Sequence, residues 1–181
     1  MNNRPSSRST TIIGMSINGR AAIGGDGQVT LNDMVFKAGA QKVRKLDDYD
    51  VLVGFAGAAA DGLTLLQKFE EKLSEYSGNI QRSVVELAKE WRTDRYLRRL
   101  EALLVVLSGE YNFILSGNGD VIEPDDGICA IGSGGGYALA AARAILSGQD
   151  VDDPAEVVRR SLEVAAGICV YTNDNITVLE L

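Results

Sequence analysis

Histidine is missing from all 181 residues of this chain. Its absence removes the general base on which most serine and cysteine hydrolases rely, and with it the commonest zinc ligand. Only two cysteines occur, Cys129 and Cys169, each in an apolar setting (Gly-Ile-Cys-Ala-Ile and Gly-Ile-Cys-Val-Tyr). Such settings predict buried, unpaired thiols in a reducing compartment. No apolar run is long enough to cross a bilayer, and Met1 to Ser9 is polar throughout, without the hydrophobic region of a signal peptide. A soluble, cytoplasmic protein is expected, with no membrane partner. Positive charge is in short supply: 18 lysines and arginines face 25 aspartates and glutamates, a net charge of -7. That balance argues against a nucleic-acid surface, and the acidic residues are dispersed, so there is no solvating acidic tail either.

What is present suits one domain with a substantial core, because 45% of the residues are hydrophobic and the length is too short to suggest two. Residues 1–9 (Met-Asn-Asn-Arg-Pro-Ser-Ser-Arg-Ser) are small and polar and are expected to be a disordered leader, ahead of a domain over 10–181. Thr10 to Ile17 and Arg20 to Gly24 are β-prone runs across Asn18-Gly19, a strong hairpin signal. Strands are also predicted at Lys42 to Leu46, Val51 to Ala56, Ala102 to Leu107, Tyr111 to Leu115, Gly127 to Ile131 and Asn175 to Leu181. The spacing of Leu63, Leu66, Phe69 and Leu73 predicts an amphipathic helix from Ala59 to Tyr76, stopped by Ser77-Gly78-Asn79. A second helix is predicted from Ile80 to Leu100, with Val84, Leu87, Ala88, Trp91 and Tyr96 on its apolar side and an arginine-rich solvated face. Helices follow at Tyr137 to Leu146 and Pro154 to Ala166, the latter capped by Asp153. This order of strands, two helices, strands, two helices and a strand fits an α+β fold: an antiparallel sheet sandwich with helices outside each sheet.

Without histidine, hydrolytic chemistry needs another base. Thr10 opens a strand, and a threonine exposed at a chain terminus brings its own α-amino group, which titrates near ~7.7 to 8.0. Threonine activated by its own terminal amine is an established way to sharpen a weak nucleophile. Lys42 could stabilise a developing alkoxide, Asp26 could orient that lysine, and Gly54 could offer a backbone N–H to an oxyanion with no side chain in the way. Each has a plainer reading: Gly-Asp-Gly is an ordinary turn, and an isolated lysine is usually on the surface. The run Ile131-Gly132-Ser133-Gly134-Gly135-Gly136-Tyr137 lacks the lysine of a phosphate loop and the acidic partner of a dinucleotide site. It is better used as a tight strand-to-helix turn that brings Ser133 to the proton network of Thr10.

Taken together, Thr10-Thr11-Ile12, Gly-Asp-Gly-Gln at 25 to 28, Lys-Val-Arg at 42 to 44, Gly-Phe-Ala-Gly at 54 to 57, Val-Glu-Leu-Ala-Lys-Glu-Trp-Arg-Thr-Asp-Arg at 85 to 95, Gly-Asn-Gly-Asp-Val at 117 to 121, Ala-Ile-Gly-Ser-Gly-Gly at 130 to 135 and Ile-Cys-Val-Tyr-Thr-Asn at 168 to 173 closely resemble the bacterial proteasome-like peptidases of the HslV (ClpQ) family. The resemblance runs from Thr10 to Leu181. It implies a four-layer αββα sandwich of the N-terminal-nucleophile hydrolase type, assembled as two stacked hexameric rings with the sites facing an inner chamber. It also implies an HslU-type AAA+ unfoldase that spends ATP to deliver unfolded protein substrates, so that no nucleotide site is expected on this chain. By position, Thr10 becomes the catalytic threonine, Asp26, Lys42 and Ser133 its network, and Gly54 the oxyanion donor. A sodium ion would be held by the main-chain carbonyls of Ala166, Cys169 and Thr172, although Ala166-Gly167 stands where relatives commonly have glycine followed by an acidic residue. Nine residues precede Thr10 where many relatives have only methionine. With the Ser9–Thr10 bond intact there is no free amine, so the chain is expected to be a zymogen activated by cleavage there. The alternatives are a silent assembly whose leader is never removed, and an enzyme of the same fold acting on a small amide.

Overall fold

The computed structural model describes residues 10–100, 102–148 and 151–181; the expected leader lies outside the described residues. Thr11–Ile17 (β1) and Arg20–Gly25 (β2) form the expected hairpin. Asn18 and Gly19 both take positive φ, 51° and 80°, as the two-residue turn matching strand twist requires. Val29–Leu31 (β3) and Met34–Lys37 (β4) make a separate ribbon that the sequence reading leaves out. Met34 to Lys37 is exposed at every position, so no alternation of apolar and polar residues betrays the strand.

Val43–Leu46 (β5) and Val51–Gly57 (β6) pair across a short 3-10 turn, and Ala59–Glu75 (α1) follows. Ser77 and Gly78, both with positive φ, end that helical segment as expected. Ile80–Thr93 (α2) is shorter than predicted. The Asp94 carboxylate accepts the N–H groups of Tyr96 and Leu97 at 2.7 and 2.9 Å, a local turn that competes with the helix and takes the chain out of it. Tyr96, expected on the apolar side, is therefore 77% exposed, and only a 3-10 turn, Leu97–Arg99, follows.

The remaining elements are Ala102–Leu107 (β7), Asn112–Ser116 (β8), Val121–Ile122 (β9), Ile128–Gly132 (β10), Gly135–Gly148 (α3), Pro154–Ala166 (α4) and Thr177–Glu180 (β11). They build two antiparallel sheets, ordered β10-β1-β2-β11 and β5-β6-β7-β8-β9. Because side chains alternate along a strand, successive residues feed different layers. Ile12, Ile23, Leu52, Val105, Leu107 and Ile131 meet between the sheets. Ile13, Met15 and Ala22 face Ala138, Val158 and Leu162 of α3 and α4. Val53, Phe55 and Leu104 face Phe69, Leu87 and Trp91 of α1 and α2. Two sheets between two helical layers give the αββα sandwich that the resemblance implies. Among the described residues no helix is long and apolar enough to cross a membrane.

The register decides what surrounds Thr10. Thr11 is opposite Gly132 at the end of β10, and Ile12 is opposite Gly25 at the end of β2. The start of β1 therefore sits where one neighbour departs toward Ser133 and the other toward Asp26.

Candidate active site

Thr10 immediately precedes β1 and is 4% exposed. Its carbonyl accepts the Ser133 N–H at 2.8 Å, which fixes the backbone of Thr10 from the β10–α3 turn. Gly132 makes that turn possible: its φ is 87°, and a Cβ there would run into the Thr10 carbonyl. Gly134 is confined in a similar way, because a Cβ would collide with the Thr11 and Thr172 hydroxyls. The Gly-Ser-Gly stretch that could be mistaken for a phosphate loop is thus a close backbone approach to Thr10 and Thr11.

The Asp26 side chain is wholly buried, and its carboxylate accepts four contacts from described residues. Its Oδ1 accepts the Thr11 N–H at 2.8 Å and the Lys42 ammonium at 2.8 Å. Its Oδ2 accepts the Gln28 N–H at 2.9 Å and the Asn173 N–H at 3.4 Å. One carboxylate oxygen therefore links Lys42 to the amide that follows Thr10. Lys42, 4% exposed, also donates to the Gln28 carbonyl at 2.6 Å. Two of its three hydrogens are spent on these partners. Burial pushes the Lys42 ammonium below its usual pKa, and the adjoining Asp26 charge and hydrogen bond work against that shift. Lys42 is a buried ion-pair partner here, not the surface lysine of the plainer reading.

A cavity of about 980 Å³ opens beside Thr10, and its wall includes Ala56, Gly57, Gly132, Ser133 and Cys169. Gly54 is not among the lining residues, and this departs from the sequence reading. It lies in the middle of β6, opposite Val43 and Val105, and a Cβ on it would press on Ile12 and Ile23 in the inter-sheet core. Phe55 gives its N–H to the Lys42 carbonyl at 3.1 Å. Bonding direction alternates along an antiparallel strand, so the Gly54 N–H points the other way, into the ladder with β7. The Gly57 N–H, two residues beyond Phe55, points to the Lys42 side but past the start of β5. Strand phase thus turns the Gly54 N–H, the expected oxyanion donor, away from the Lys42 side of β6.

Three polar residues at the site were not singled out from sequence. The Thr11 hydroxyl accepts the Gly134 N–H at 3.0 Å and shares a 2.7 Å hydrogen bond with the Thr172 hydroxyl. Gln28 reaches the Val170 carbonyl at 3.0 Å. Asn173 contacts the turn that carries Asp26. Their signals were the Thr10-Thr11-Ile12, Gly-Asp-Gly-Gln and Tyr-Thr-Asn runs, which local pattern cannot connect across more than 140 positions.

Among the described residues no group of three or more histidine, cysteine, aspartate or glutamate side chains could hold a metal ion. The expected sodium ligands are main-chain oxygens, which are the donor type that hard cations take. Ala166 ends α4, where carbonyls lack intrahelical partners and the helix dipole is negative. The Cys169 carbonyl accepts the Thr172 N–H at 3.0 Å and keeps a second lone pair. Main-chain oxygens suit a hard cation by donor type, and the change at Ala166-Gly167 alters side chains and not those oxygens.

A threonine fixed at the head of an inner strand of an αββα sandwich, with a buried lysine and aspartate beside it, defines an N-terminal-nucleophile type of fold and site. The family model described as proteasome subunit matches residues 6–181. The chain is 59% identical to the ATP-dependent protease subunit HslV of Caldicellulosiruptor saccharolyticus, over 95% of this chain and 98% of that one. With the ATP-dependent protease subunit HslV of Chlorobium phaeobacteroides it shares 54% identity, over 98% of this chain and 97% of that one. The crystal structure of eukaryotic HslV from Trypanosoma brucei matches with a TM-score of 0.89 and 44% identity, covering 94% of this chain and 98% of that chain. The chain belongs to the proteasome-subunit family, among relatives that carry the HslV name.

Proposed function

We propose that this chain is the threonine-type peptidase subunit of an ATP-dependent protease. The observation that carries the reading is the fixing of Thr10 from both flanks: Ser133 holds its carbonyl and Asp26 holds the next amide. Once the Ser9–Thr10 bond is cut, the Thr10 amine takes the hydroxyl proton, directly or through water, as Oγ attacks a peptide carbonyl. The Gly57 N–H is assigned to the oxyanion in place of Gly54. The amine returns the proton to the leaving nitrogen, and water then hydrolyses the Oγ–acyl ester. The Lys42 ammonium lowers the energy of the developing alkoxide, and Ser133 takes part in the proton network at the cavity wall.

The finer expectations belong to the same proposal. The partner is an HslU-type AAA+ unfoldase, which alone uses ATP. The chains stack as two hexameric rings in the cytoplasm, the substrates are unfolded proteins, and the precursor is a zymogen. The Ala166, Cys169 and Thr172 carbonyls hold a sodium ion with a structural role. Support comes from the names of the relatives for the ATP-dependent protease, and from donor chemistry for the ion.

The test joins intact mass and N-terminal sequencing to casein hydrolysis with the ATPase present. A chain beginning at Thr10, active as wild type and inactive as Thr10→Ala, is the expected result. Activity surviving in Thr10→Ala would overturn the nucleophile assignment. A chain that keeps residues 1–9 and never cleaves would favour the silent assembly.

A further inference from the structure

Asp26 and Lys42 reach the site from different directions. Asp26 sits in the turn after β2, and Lys42 is delivered by the segment that leads from β4 into β5. The two side chains meet at 2.8 Å. The β3–β4 ribbon joins the stretches that carry them, with Val29 opposite Lys37, and beyond its end the chain after α4 ties the Asp26 turn to the Lys42 segment by side-chain hydrogen bonds.

The Asn173 side-chain oxygen accepts the Gly27 N–H at 3.0 Å, and its amide nitrogen donates to the Ala38 carbonyl at 2.8 Å. Gly27 directly follows Asp26, and Ala38 lies four residues before Lys42. The main-chain N–H of Asn173 adds a 3.4 Å contact to Asp26 Oδ2. The Ala40 N–H completes the junction by donating to the Gly27 carbonyl at 2.8 Å. The approach is too close for a side chain at position 27, since a Cβ there would run into the Ala38 carbonyl. One planar amide thus uses its acceptor on the Asp26 turn and its donor on the Lys42 segment, which aspartate or leucine at this position could not do. Asn175 offers a natural comparison. Its amide donates to the same Ala38 carbonyl at 2.9 Å.

We propose that Asn173 is a positioning residue for the peptidase reaction, its side-chain amide clamping the Asp26 turn to the segment that delivers Lys42. The proposal rests on the Thr10 reading above. Asn173 does not line the cavity, so its loss should slow the chemical step without weakening substrate binding.

The test uses the full, processed assembly with its ATPase and a fluorogenic peptide. For Asn173→Ala, kcat should fall about 10- to 100-fold, the range reached when a reacting group is misplaced by about 1 Å. KM should stay within about twofold, because a lost transition-state interaction lowers kcat and kcat/KM together. Asn175→Ala removes only the shared contact at Ala38 and should keep near wild-type kcat. If Asn173 works through Asp26, adding Asn173→Ala to Asp26→Asn should cost little more than Asp26→Asn alone. An unchanged kcat, a loss carried by KM, or full additivity with Asp26→Asn would overturn the proposal. If Asn173→Ala does not assemble, Asn173→Asp carries the test. It keeps the acceptor for Gly27 and sets a carboxylate oxygen against the Ala38 carbonyl, so the same kcat loss at unchanged KM is expected. Thr10→Ala, run in parallel, separates the two claims. An active Thr10→Ala defeats the reading itself, whereas a Thr10-dependent enzyme indifferent to Asn173 defeats only the clamp.

Discussion

The two outer interfaces of the sandwich are packed by different means. Against α1 and α2, the five-stranded sheet is covered by large side chains: Phe69, Trp91, Leu65, Leu73 and Leu87 are all fully buried. Against α3 and α4, the sheet that carries Thr10 is covered without aromatics, by Ala138, Ala142 and Ala165 together with Val157, Val158 and Leu162, with Ala22 opposite. There the helix approaches the strand backbone itself. A Cβ on Gly24 would lie 2.6 Å from Val158 and 2.7 Å from Leu162. The first interface is filled by side-chain volume and can lose atoms by opening a cavity; the second has little room and passes any displacement to the strands beside Thr10.

The comparison can be broken most sharply at Gly132. Gly132→Ala puts a Cβ against the Thr10 carbonyl at a φ of 87°, so the Ser133 contact must yield. Peptidase kcat is expected to drop by about 100-fold, the cost of a roughly 1 Å shift at the reacting group, in an assembly that still forms. Near wild-type turnover would mean that this side of the molecule is more yielding than its packing says.

Phe69→Ala tests the opposite interface. The expected cost is about 3 to 5 kcal/mol of stability, read from denaturant unfolding, with kcat of the folded fraction unchanged. A parallel loss of kcat would show that the α1–α2 layer also governs the site. The smallest effect concerns the proposed cation at the end of α4. Replacing sodium with choline should lower stability by about 1 kcal/mol if the ion is present at about five times its Kd. The thermal midpoint reads that change. Phe69→Ala should show the same sodium dependence as wild type, because its layer lies across the molecule from the ion.

Local features were the most legible in the sequence. Asn18-Gly19 announced its turn, and Asp153 its cap, since the carboxylate accepts the Ala155 N–H at 3.1 Å within two residues. Asp94 escaped notice because the helical spacing continues through Trp91 and Tyr96, while the break depends on one side chain capturing two later N–H groups. At the site, Asp26, Lys42 and Ser133 could be grouped by residue chemistry alone. Separating Gly54 from Gly57 required knowing which edge of β6 bonds to Lys42. The side-chain partners of Thr172 and Asn173 were not legible, because those partners, Thr11 and Gly27, lie 161 and 146 positions away and only the αββα topology brings them near.

The hydrogen bond from Ser133 to the Thr10 carbonyl bears on how such a chain is switched on. That carbonyl, the Thr11 N–H held by Asp26 and the pairings of β1 with β2 and β10 all lie on the downstream side of the Thr10 amide nitrogen. Cutting the bond before Thr10 deletes none of them. Under the proposed cleavage, maturation changes one functional group on a finished frame: an amide becomes an amine, and the architecture around it is built before it is armed.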